Sequence, residues 1–147
     1  MALSNLLHLL AAMLWIGGML FAHYALRPAA IATLAPPQRL PLMSAALGRF
    51  FWMVGGAIAV LLITGLHMIV AGSGFSAASP GVNTMLGGGL LMMAIFGVIV
   101  LAHYPVLRRH LAAAEWPLAA ARLDRIRLLV SINMLLGVLI IAAVKLL

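Results

Sequence analysis

Residues 3–26 read LSNLLHLLAAMLWIGGMLFAHYAL, without a single Asp, Glu, Lys or Arg. A helix of that length rises about 36 Å at about 1.5 Å per residue, enough to cross a hydrocarbon layer of about 30 Å. Three more apolar runs follow, Ala46 to Ala71, Met85 to Leu107 and Leu128 to Leu146, with charge only near their edges. In a chain of 147 residues, 66% hydrophobic and 7% charged, four crossings leave room for little else. The sequence therefore predicts an all-α integral membrane protein: one four-helix transmembrane bundle over 1–147, with helices about 3–26, 46–71, 85–107 and 128–146. No basic residues precede the first run and no small-residue cleavage site follows it, so it reads as a retained helix rather than a removed signal peptide.

Charge sets the expected orientation. The first connection carries Arg27, Arg39 and Arg49 around a Pro36-Pro37 break, and the third carries Arg108, Arg109, Arg122, Arg125 and Arg127. The second, Gly72 to Thr84, has none. Positive residues stay in the cytoplasm, which places both termini on the non-cytoplasmic side. The third connection, through Glu115, Trp116 and Pro117 to Asp124, has helical spacing and is expected to lie as an interfacial helix before the fourth span. The net charge of +7 sits beside apolar runs, which suits anionic lipid rather than nucleic acid.

Absent residue types exclude whole chemistries. Without cysteine there is no disulfide, iron–sulfur cluster, thiolate-bound haem or covalent c-type attachment. No nucleophile constellation, phosphate-cradling loop or paired carboxylate supports hydrolysis or phosphotransfer. Histidine remains, and four of the five histidines fall inside spans, where ionisable residues are costly and mark function. His8 and His67 lie about a turn from the non-cytoplasmic rim; His23 and His103 lie about a turn from the cytoplasmic one. Pairing by depth gives His8 with His67 and His23 with His103, two bis-histidine levels of the kind that hold haem b iron for electron transfer. His110, beside Arg108 and Arg109, reads as a surface residue.

Several residues admit two readings. Arg27, Arg49, Arg108 and Arg109 can pair with propionates of a cytoplasmic-side haem, and topology alone also accounts for them. At the other rim propionates would need Ser73, Asn83, Thr84 or water. Gly17-Gly18, Gly55-Gly56, Gly65, Gly87 to Gly89 and Gly97 make room for a ring, or let helices pack closely. Met1, His8, His67, Met68 and Met85 gather thioether and imidazole as Cu(I) prefers, although methionine is also ordinary apolar filling. Asn133 in the fourth span is an interhelical hydrogen bond or a quinone contact. An echo joins Ala22-His23-Tyr24 to Ala102-His103-Tyr104, consistent with a duplicated hairpin or with chance.

The run Leu7-His8-Leu9 through Trp15, Gly17-Gly18 and Phe21 resembles the first helix of the copper-resistance D family. Arg49-Phe50, Thr64-Gly65 and Arg125-Ile126-Arg127 are similar to that family as well. The resemblance implies a polytopic protein of the bacterial inner membrane linked to copper. The His and Trp spacing in the first helix is also similar to the HemJ protoporphyrinogen oxidase family, which implies a porphyrin substrate. The function expected first is a di-haem b-type cytochrome, an oxidoreductase moving electrons across the membrane between periplasmic Cu(I), or another one-electron donor, and quinone. The alternatives are a copper permease without haem and a protoporphyrinogen oxidase-like protein. A homodimer would suit so small a bundle.

Overall fold

The computed structural model describes residues 1–72, 74, 75 and 79–146; Ser73 lies outside the described residues. Four helices long and apolar enough to span a membrane follow one another: α1 (Ala2–Thr33), α2 (Pro36–Ala71), α3 (Pro80–Ala112) and α4 (Trp116–Leu146). The described residues contain no strand.

All four helices outrun the apolar segments. At 36 residues, α2 reaches about 54 Å, well beyond the hydrocarbon layer. The connections at the arginine-rich end are rich in Ala, Leu and Arg, all good helix formers, so helix continues through them. The first connection shrinks to Leu34 and Ala35, where Ala35 turns extended (φ −69°, ψ 158°) and Pro36 starts α2. The third shrinks to Ala113–Glu115, with Ala114 left-handed at φ 54° and the Glu115 N–H bonded to the His110 carbonyl at 2.9 Å. The expected interfacial helix is accordingly not separate. Residues 116–127 form the first turns of α4, since no Gly or Pro after Pro117 interrupts them.

Each of the two odd-numbered spans holds a π-turn, Ala22–Leu26 in α1 and Ile99–His103 in α3. The Arg27 N–H reaches back five residues to the Ala22 carbonyl, and the Tyr104 N–H to that of Ile99. A proline follows one residue later in both cases, Pro28 and Pro105. Proline has no N–H and clashes with the carbonyl four residues back, and one extra residue in the preceding turn accommodates it.

The helices pack as two antiparallel hairpins, α1 on α2 and α3 on α4, with α4 also touching α1 and α2. Both termini thus lie at one end of the bundle and the arginines at the other. Trp15, Met19, Phe51, Val54, Met92, Ile99, Leu107 and Ile126 form the core. Edge-to-face rings link it, Trp15 to Phe96 at 6.0 Å, Phe96 to Phe51 at 5.8 Å and Phe51 to Tyr104 at 5.2 Å. Gly18 and Gly48 leave no room for a Cβ against Phe50 and the Tyr104 hydroxyl, so at these two positions glycine serves helix packing.

The outward surface is the reverse of a soluble protein's. Trp52 is 86% exposed, Leu101 79% and Ile63 70%, and such residues ring the bundle. A continuous apolar surface of this kind is stable only against hydrocarbon. The protein is a multi-pass membrane protein.

Candidate functional site

At the termini end, α1 and α2 exchange two hydrogen bonds between side chains. The His8 Nδ1 lies 2.9 Å from the Thr64 hydroxyl, and the His67 Nδ1 lies 3.0 Å from the Ser4 hydroxyl. Ser4 and His8 are one turn apart on α1, as are Thr64 and His67 on α2, so antiparallel packing sets each imidazole against the hydroxyl of the opposite helix. His8 and His67 therefore lie at the same end of the bundle, but His67 faces Ser4 and so sits about one turn nearer the rim than His8, where depth matching expects a single level. Gly65 keeps this approach open, since a Cβ there would sit 3.3 Å from the His8 ring.

The Thr64 contact fixes a proton. The Thr64 hydroxyl donates its only hydrogen to the Val60 carbonyl at 2.6 Å. It can then only accept from His8, so Nδ1 carries the imidazole proton and the neutral ring keeps its lone pair on Nε2. Ligand-binding histidines show this arrangement, the second nitrogen being anchored by a hydrogen bond. Thr64 is buried, His8 half-buried and His67 exposed. Met68 and Met85, both partly buried, lie on α2 and α3 towards the same end.

At the arginine end the expected pair is split. The His23 Nδ1 lies 3.4 Å from the Ser131 hydroxyl, which donates to the Arg127 carbonyl at 2.9 Å, so His23 also keeps its lone pair on Nε2. It lines a cavity with Met43, Leu47, Ile126 and Arg27. His103 instead meets the Arg122 guanidinium, Nη1 to Nδ1 at 3.0 Å. Arginine only donates, so this Nδ1 accepts and the ring proton sits on Nε2. His103 lines a different cleft, with Arg122, Arg125 and His110. The two imidazoles expected to face each other open on separate spaces. Each is drawn to its own partner on α4, Ser131 or Arg122.

The arginines divide too. Arg27 reaches Asp124 at 3.8 Å, and Asp124 also meets Arg127 at 3.8 Å, tying α1 to α4. Arg49 and Arg108 are exposed. His110 bonds Glu115, Nδ1 to Oε2 at 2.6 Å. Among the described residues no three His, Asp or Glu side chains cluster as a metal site would need, so a metal here would rest on histidine with softer donors. Sequence reasoning passed over Ser4, Thr64 and Ser131 as anchors of the histidines. The available signal was a hydroxyl three or four residues from a histidine, or at equal depth on another span.

The family model described as Copper resistance protein D matches residues 44–147. The match takes in Thr64, His67 and His103 and begins after α1. No curated protein and no solved structure matches.

Proposed function

Since the chain belongs to the copper resistance protein D family, we propose that it handles copper in the membrane through His8 and His67 at the termini end of the bundle. The supporting observation is the Thr64 hydroxyl, which gives its proton to Val60 and so holds His8 with Nε2 as the base. Imidazole and thioether suit Cu(I), and Met68 and Met85 are the thioethers on the neighbouring helices. Copper is here the cargo, and the hydroxyl anchors spare the imidazoles a reorganisation when it binds. With the arginines in the cytoplasm, the site faces the opposite side, the periplasm if the membrane is a bacterial inner membrane.

The test is an anaerobic Cu(I) titration of the purified protein against a chromogenic chelator. One Cu(I) per chain is expected, lost in His8→Ala and in His67→Ala. Thr64→Val, which removes the anchor and no ligand, should weaken binding about 10- to 100-fold, and Thr64→Ser should restore it. Wild-type affinity in both histidine variants would overturn the proposal.

A haem b reading rests on a second observation: His23 is anchored as His8 is, so α1 offers two Nε2 bases at two depths. His67 would complete the outer level. At the inner one His103 opens elsewhere, and the cavity that His23 lines with Met43 measures only about 30 Å³, so a haem at that level would need the helices to part. Haem at both levels would carry electrons from Cu(I) or another donor towards quinone. A reduced-minus-oxidised spectrum with a b-type band that is altered in His23→Ala would favour this reading over copper handling alone.

A further inference from the structure

The cleft at the arginine end between α3 and α4 is lined by His103, His110, Leu118, Ala121, Arg122 and Arg125. Three of its four polar side chains, His103, Arg122 and Arg125, donate. Arg122 and Arg125 cannot accept, and Arg122, by bonding the His103 Nδ1, forces the remaining ring proton of His103 onto Nε2. His110 gives its Nδ1–H to Glu115.

Counter-charge is scarce throughout the chain, which holds two acidic residues against nine Lys and Arg. Glu115 is engaged by His110, and Asp124 lies between Arg27 and Arg127. Among the described residues neither Arg122 nor Arg125 has a carboxylate partner. Two guanidinium groups three residues apart on one helix repel each other unless an anion lies between them. Arg122 is also partly buried, which limits what water can do for it.

We infer that this cleft binds a phosphate group, held by the Arg122 and Arg125 guanidiniums with His103 as a further donor. A planar guanidinium matches two phosphate oxygens at once, which makes arginine the residue suited to such a site. The phosphate can be the phosphodiester of an anionic lipid or free inorganic phosphate, since the donor set is the same for both. His103 on this account serves an anion rather than a metal.

Native mass spectrometry of the full chain in neutral detergent tests the inference, with short-chain phosphatidylglycerol and inorganic phosphate added separately. Retention of phosphatidylglycerol alone assigns the cleft to a lipid headgroup. Displacement of that lipid by millimolar phosphate, or retention of phosphate itself, assigns it to the free anion. Either result should weaken about tenfold or more in Arg122→Gln and in Arg125→Gln and stay unchanged in Arg109→Gln, an exposed arginine outside the cleft. Two variants guard against a folding failure in one, and elution as a single species checks both. Retention of neither ligand, or equal loss in Arg109→Gln, would overturn the inference.

Discussion

Asn133 is 1% exposed, the most deeply buried polar side chain among the described residues. Its Nδ2 donates to the Met92 carbonyl on α3 at 3.3 Å, while Oδ1 has no partner. The sequence announces Asn133 as the one strongly polar residue in the fourth span and offers an interhelical bond or a quinone contact; the bond to α3 is present. The orphaned Oδ1 was not legible, because it depends on which atoms surround one end of the amide. The Met92 carbonyl lies inside α3 and keeps its helical partner whether or not Asn133 is there, so the gain from the extra bond is small. Leaving Oδ1 unsatisfied costs about 1 to 3 kcal/mol. Asn133→Leu, which keeps the number and branching of the side chain's heavy atoms, is therefore expected to leave the thermal midpoint in detergent unchanged or raise it. A fall equivalent to about 2 kcal/mol would mean that Oδ1 accepts from a donor in the membrane, such as a quinol hydroxyl or a trapped water.

The same difference between pattern and placement recurs in the helices. Apolar length gave four spans at the right places, because lipid demands it of any sequence. It did not give their ends, since positive-inside reasoning takes arginine-rich stretches as connections, whereas in Ala/Leu-rich sequence they remain helical. The Ala-His-Tyr echo is also out of register with the fold. Both π-turns stand one residue before a proline, yet His23 is five residues ahead of Pro28 and His103 only two ahead of Pro105. The shared structural unit is set by the prolines rather than by the histidines. One extra residue in a turn rotates everything beyond it by about 100°, and in α3 this sets the direction of Tyr104. The Tyr104 hydroxyl donates to the Ser44 carbonyl at 3.0 Å in the space that Gly48 leaves open. Proline is normally a burden to a helix, so Pro105→Ala would by propensity stabilise α3. We expect the opposite, a loss of about 1 to 2 kcal/mol in thermal unfolding, because the turn can revert to α and swing Tyr104 off Ser44. Stabilisation by Pro105→Ala would show that the π-turn is imposed by proline alone and that packing does not use it.

At the scale of the whole molecule, function depends on which way the bundle points. The candidate ligands are unevenly shared between its ends: His8, His67, Met68 and Met85 lie towards the termini, while Arg108, Arg109, Arg122, Arg125 and Arg127 lie at the other end. Pairing by depth puts His8 and His67 at one end because two antiparallel helices joined by a short turn run past each other in a fixed register, but that register sets the two histidines about one turn apart. It missed the separation of His23 from His103, which belong to different hairpins and whose meeting depends on how those hairpins rotate against each other. Orientation is decided by a simpler force. Eight arginines at one end must be held against transfer through hydrocarbon, while Lys145 is the one basic side chain at the other. The arginine end should therefore remain in the cytoplasm. An alkaline phosphatase fused after Leu147 should be active in a bacterial host and a green fluorescent protein there dark, with the reverse for fusions inserted after Ala113 in the turn before α4. A fluorescent C-terminal fusion would place His8 and His67 in the cytoplasm. Copper would then have to reach them from inside the cell, and the phosphate cleft would face the outer leaflet, where inorganic phosphate and lipid headgroups are supplied from different pools.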